Sequence, residues 1–245
     1  MKNVLLLKAG DAARPVQLSV GDYEHWFVES LGHERYRFDI RHVHRGAPLP
    51  ADATGYDAVM MTGSPMSVTR LEPWMVRAGE FMMNAADRGT PGLAVCFGHQ
   101  LLAHLHGARV VRNHQGREMG HVEVRLSPEG REDPLFDGLP ERITVYTTHE
   151  DIVEHAPEGT TVLAGNANTS VQALAFGPRM RGVQFHPEVH PAAMRALILA
   201  RAEGLEAEAL SRGMSPGQRV SALLAGIAPS PAGGRILQNF LERFT

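Results

Sequence analysis

The stretch Leu93-Ala94-Val95-Cys96-Phe97-Gly98-His99-Gln100 constrains the fold more than any other part of the chain. A short apolar run passes, through one cysteine, directly into the helical pattern Phe97–His106, which Gly107 ends. A strand turning at once into a helix belongs to an α/β sheet, and the same alternation recurs through the first half. Val4–Leu7 reads as a buried strand, because four consecutive apolar residues suit a strand covered on both faces. Ser19–Leu31 reads as a helix with Ser19 as its N-cap, and Trp74–Asp87 as another. Phe38–Val43 and Ala58–Met61 are further strands, the second stopped by Thr62-Gly63-Ser64-Pro65.

In the second half, Val122–Leu126, Ile143–Tyr146, Val162–Ala164, Val171–Phe176 and Gly182–Phe185 read as strands with short links, suited to antiparallel additions. Helical patterns return at Pro191–Arg201, Leu205–Arg212, Ser215–Leu224 and Ile236–Phe244, with Ile227–Gly234 as a link. The expected architecture is a mostly parallel sheet with helices on both faces and antiparallel additions. At 245 residues one domain is expected, spanning 1–245. The net charge of −3 gives no electrostatic case for nucleic acid or an anionic membrane. No apolar run approaches the ~20 residues of a membrane helix. The N-terminus lacks the apolar run and cleavage site of a signal peptide, so a cytoplasmic protein is expected.

Cys96 is the only cysteine, so neither an internal disulfide nor a cysteine-based zinc cluster can form. A lone cysteine is ordinarily small core filler. Here the strand–turn–helix context is that of a nucleophile elbow, which lifts the side chain above the sheet edge. The helix N-terminus favours a thiolate, and its free N–H groups can hold an oxyanion. A base is still required, since at the reference pKa only ~3% of a thiol is ionised at pH 7. Among 13 histidines, His186 follows a strand and precedes Pro187-Glu188. Glu188 can therefore point the same way and fix the tautomer of the ring. Alone, a histidine two residues from a glutamate is more simply a pair of surface residues.

Together, Cys96-Phe97-Gly98-His99-Gln100 and Val183-Gln184-Phe185-His186-Pro187-Glu188 resemble the class I, triad-type glutamine amidotransferases. Met61-Thr62-Gly63-Ser64-Pro65 is similar to that family's oxyanion loop, and Thr148-His149-Glu150-Asp151 to a stretch in the glutaminase part of GMP synthase. Gly234–Phe240 resembles the final helix there. The likeness covers roughly residues 2–190 and 234–245, leaving 191–233 as a helical insertion. One departure is Ala94-Val95-Cys96 where the family usually has Gly-Ile-Cys. Nothing resembles the pyrophosphate loop of a synthetase domain, and the 57 residues after Glu188 are too few for one.

The resemblance implies a flavodoxin-like α/β fold and amide hydrolysis through a cysteinyl thioester, without metal or organic cofactor. Cys96, His186 and Glu188 would be the catalytic triad, and Gly63 and Phe97 the oxyanion hole. Ser64, Gln100, Thr148 and His149 would grip the glutamyl part of the substrate. The substrate would be glutamine or a γ-glutamyl compound, since γ-glutamyl peptidases share the fold. A separate synthetase subunit could accept the ammonia, and a silent regulatory module is the remaining alternative. The spacing His42-x-His44 could hold a metal, but with no further ligand evident it reads as a surface pair. His99 reads as a helix-packing residue.

Overall fold

The computed structural model describes all residues from Met1 to Thr245. The elements of the first half are β1 (Lys2–Lys8), α1 (Arg14–Val20), α2 (Tyr23–Leu31), β2 (Tyr36–His42), β3 (Ala58–Met61), α3 (Pro73–Asp87), β4 (Gly92–Val95) and α4 (Phe97–Leu105). There follow β5 (Val110–Arg112), β6 (Glu118–Leu126), α5 (Pro128–Glu132), β7 (Arg142–His149), β8 (Asp151–Val153), β9 (Thr161–Gly165), β10 (Ala173–Phe176) and β11 (Met180–Val183). The chain ends in α6 (Pro191–Ala200), α7 (Ala202–Ser211), α8 (Gln218–Ala225) and α9 (Pro231–Arg243).

Nine strands form one sheet in the order β2-β1-β3-β4-β11-β10-β9-β6-β7. The first five run parallel. The other four join antiparallel, as the short links of the second half lead one to expect. Val4, Leu5, Leu6 and Leu7 are fully buried because β1 is covered on both faces. The pleat sends Val4 and Leu6 to one core, with Phe27 of α2 and Phe240 of α9. Leu5 and Leu7 enter the other, with Met75 of α3 and Leu101 of α4. A third core joins α1, α2 and the helices α6 and α7 to Met119 of β6 and Tyr146 of β7.

Several details differ from the sequence expectation, among them the short helix α5, which the sequence reading does not contain. Ser19–Leu31 is two helices, because Gly21 adopts φ +79° and Asp22 starts α2. The Asp22 carboxylate accepts from the Tyr23 N–H, and the Asp22 N–H donates to His25 Nδ1. Ser19 thus lies within α1 rather than at a cap. The Ile227–Gly234 link is shorter than its composition suggests, because Pro231 begins α9 at the position where a helix tolerates proline. Finally, β5 and β8 form a small separate ribbon that the sequence reading does not contain.

Candidate active site

The ends of β3, β4 and β11 lie side by side, and each delivers one part of the site at the carboxyl edge where open α/β sheets bind ligands. Cys96 follows β4 with φ +50° and ψ −101°, one of two non-glycine residues with positive φ. Such backbone costs on the order of 1–3 kcal/mol and persists only where the surroundings enforce it. Here the Cys96 N–H donates to Val183 O of β11 at 2.8 Å, and the Gln100 N–H bonds back to Cys96 O at 3.0 Å. Phe97 is the first helical residue, so its N–H has no partner carbonyl within α4.

His186 follows β11, and its N–H donates to Tyr146 O at 2.8 Å, which ties it to β7. Its Nδ1 lies 2.7 Å from Glu188 Oε1, and both side chains are all but sealed from solvent. The Tyr23 ring stacks over the imidazole at 6.4 Å. Burial works to lower the His186 pKa, but Glu188 and the Cys96 sulfur outweigh it and push the group up to about 10. His186 therefore rests as a cation facing the sulfur. Burial also pushes the Tyr23 phenol up to about 12, so it stays neutral.

Gly63, following β3, closes the third side. A Cβ there would stand 2.7 Å from His186 Cε1 and 3.5 Å from Cys96 Cβ, so only glycine leaves the ring its place. We expect Gly63→Ala to fold but lose activity about 100-fold, the scale of an ångström's misplacement of a reacting group. Wild-type turnover in that variant, with an unchanged melting temperature, would refute this role. Ser64, half-buried beside it, accepts the Met66 N–H at 3.1 Å.

Two of the remaining expected site residues, Gln100 and His149, converge on one carbonyl. Gln100 Nε2 donates to Asp151 O at 2.7 Å, and His149 Nδ1 lies 3.1 Å from the same oxygen. His149 Nε2 meets Glu118 at 2.9 Å, so both ring nitrogens are already engaged. Thr148 is buried with its Oγ1 unpartnered. Sequence reasoning missed Glu118, a buried carboxylate that also receives Gln172 and Asn166 at 2.6 and 2.7 Å. No local motif marks it, since its partners come from the end of β7 and from the β9–β10 connection. His99 packs under β11 fully buried, and burial lowers its pKa to about 3, which removes it as a base.

The pair His42 and His44 is half-buried rather than on the surface, and Asp11 brings a third ligand-type atom within 4.8 Å. Two cations already hold that carboxylate: Lys8 at 3.0 Å on one oxygen and Arg45 at 2.6 Å on the other. His44 Nδ1 is bonded to Lys8 O at 2.8 Å. This is an ion cluster of two cations and three carboxylates that braces the loop after β1, where Lys8 also meets Asp22 and Glu24 at 2.7 Å each.

Known proteins resemble this chain in sequence and in fold. A family model described as "Glutamine amidotransferase class-I" matches residues 19–202. Gamma-glutamyl peptidase 5 of Arabidopsis thaliana is 27% identical over 76% of each chain. The glutamine-hydrolysing GMP synthase subunit of Saccharolobus solfataricus is 31% identical, over 69% of this chain and 85% of the relative. A GMP synthase of Thermosipho melanesiensis is 38% identical, but the match covers only 24% of that protein. Among solved structures, a glutamine amidotransferase from Thermotoga maritima superposes with a TM-score of 0.73 at 22% identity, covering 99% of this chain and 97% of that one. That likeness speaks for the fold.

Proposed function

Because the chain belongs to the class-I glutamine amidotransferase family, we propose that it is a cysteine-dependent glutaminase, releasing glutamate and ammonia from glutamine through a thioester. The observation that carries this reading is a single nucleophile at a strained strand–helix junction, facing a cationic histidine held by a buried glutamate. The Cys96 thiolate attacks the side-chain carbonyl carbon. The N–H groups of Phe97 and the Gly63 loop receive the oxyanion, a contribution of roughly 3–4 kcal/mol per donor. His186 gives its proton to the nitrogen, and the C–N bond breaks to free ammonia. Water then attacks the thioester, His186 takes a proton from it, and the sulfur leaves as thiolate. Glu188 keeps Nδ1 occupied so that Nε2 serves the reaction.

Gln100 and Thr148 hold the glutamyl part, Ser64 borders it, and His149 anchors their strand end through Glu118. Residues 191–233 form a helical cover on the same domain, an assignment supported by the third core they build over Tyr23 and Tyr146. The ammonia passes to a separate synthetase chain, a reading supported by the Saccharolobus relative, which is itself one subunit of a GMP synthase. No helix is long and apolar enough to cross a membrane. We place the enzyme in the cytoplasm, where a lone thiol stays reduced.

A second reading, hydrolysis of γ-glutamyl peptides, is favoured by the Arabidopsis relative, whose match spans three quarters of both chains. It uses the same residues with an amine in place of ammonia as leaving group. The deciding measurement is steady-state glutamate release by the pure protein from glutamine and from a γ-glutamyl dipeptide. Glutamine turnover supports the glutaminase. Rapid dipeptide turnover with negligible glutamine hydrolysis, unchanged by cell extract, overturns it in favour of the peptidase.

A further inference from the structure

The mechanism above leaves one buried polar side chain at the nucleophile without a task. Gln184 lies two residues before His186, is fully buried, and sets its Nε2 3.6 Å from Cys96 Sγ. Its backbone N–H donates to Gln172 O at 2.8 Å, so the segment that carries it is pinned to the stretch that leads into β10. We propose that Gln184 is a catalytic residue whose side-chain amide donates a hydrogen bond to the Cys96 thiolate, in an orientation imposed by Gln100.

The orientation follows from donor bookkeeping. The Asp151 carbonyl can only accept, so the end of Gln100 that reaches it at 2.7 Å is the amide nitrogen. The second hydrogen of that nitrogen points at Gln184, 3.0 Å away, and must find an acceptor there. Gln184 therefore turns its oxygen to Gln100 and its own N–H groups to the sulfur. A buried N–H facing a neutral thiol gains little, because the thiol is a weak acceptor. Facing a thiolate it becomes a charge-assisted bond in a site without competing water. The sulfur then has one side-chain donor in contact, Gln184, with the still unpartnered Nε2 of His186 close by, both carried by the segment after β11.

This arrangement acts at two moments of the reaction, and so deepens the glutaminase reading on which it rests. It holds the thiolate in place before attack. It also receives the charge again when the sulfur leaves the thioester. The neutral sulfur of the thioester itself makes no such demand, so Gln184 favours the steps that begin and end the covalent intermediate over the intermediate.

The test reads the sulfur directly and needs no substrate: the rate of alkylation of Cys96, the only cysteine, by iodoacetamide as a function of pH. The titratable groups around the sulfur are His186, with Glu188 behind it, and the Tyr23 phenol, and all of them remain in the variants. Gln184→Met, similar in length but without the donor, is expected to react about tenfold more slowly at neutral pH, with its profile displaced to higher pH. Gln184→Glu keeps the shape and sets an anion against the sulfur, so its profile moves further in the same direction. Gln100→Met frees the Gln184 amide to rotate and gives a smaller shift of the same sign. A role in packing alone would alter the melting temperature of these variants without ordering their pH profiles. A wild-type profile in Gln184→Met, or in Gln184→Glu should the first not fold, overturns the proposal. If the wild-type protein hydrolyses neither glutamine nor dipeptide, the glutaminase reading fails, yet the alkylation profiles still decide the role of Gln184.

Discussion

Cys96→Ala is expected to reduce glutamate release by about 10⁴-fold or more, because no other group in the site can form the covalent intermediate. The fold should survive, since alanine is smaller than cysteine and meets the same backbone demand at φ +50°. Circular dichroism should be unchanged and the melting temperature should move by only a few degrees. An electrophilic glutamine analogue should add one label to the wild-type protein, read by mass spectrometry. The same label on Cys96→Ala would remove Cys96 from its role.

His186→Ala and Glu188→Gln should separate the base from the group that orients it. Loss of the base is expected to cost about 10³–10⁴-fold, whereas the isosteric glutamine retains a bond to Nδ1 and should cost about 10–100-fold. Near-wild-type activity in His186→Ala would point to His149, the remaining histidine of the site, because burial keeps the His99 ring uncharged. The same pair predicts a stability signature. The His186 pKa is raised from an ordinary 6.5 to about 10, so the native state holds a proton that the unfolded chain releases. Its contribution is complete below pH 6.5 and disappears as the pH climbs through 10. Glu188→Gln removes the largest influence raising that pKa. The melting temperature of wild type should therefore exceed that of the variant by about 5 °C near pH 6, with the gap narrowing toward pH 10. A gap that widens with pH would contradict this assignment.

Some of this was legible in the residues alone, and the limit has a physical cause. The strands of the parallel half declare themselves because both faces are buried, so that Val4–Leu7 and Ala58–Met61 are unbroken apolar runs. Cys96 and His186 stand at strand ends and are marked by their immediate neighbours. What escaped detection depends on chain segments meeting across long distances. The β5–β8 ribbon pairs Val110 with Val153, each in a run too short to signal a strand. Glu118 gathers donors from residues 149, 166 and 172. Asp22, not Ser19, starts α2, and Lys8, 14 residues earlier, meets its carboxylate at 2.7 Å. The task of Gln184 emerges only when Gln100 and Asp151 stand beside it.

The position of β11 has a consequence for how the molecule is born. This strand is inserted between β4 and β10, in the middle of the sheet, although it is the last strand in the chain. At about 5–20 residues per second, a ribosome needs roughly 4–17 s to go from the end of β4 to the start of β11. Throughout that interval β4 has a bare edge, with Gly92–Val95 open to pairing with any passing strand. The Cys96 elbow lacks its bond to Val183 for the same period, and no histidine faces the sulfur. The nascent protein thus carries its nucleophile long before it can use it, and catalysis begins only when the final strand slots home.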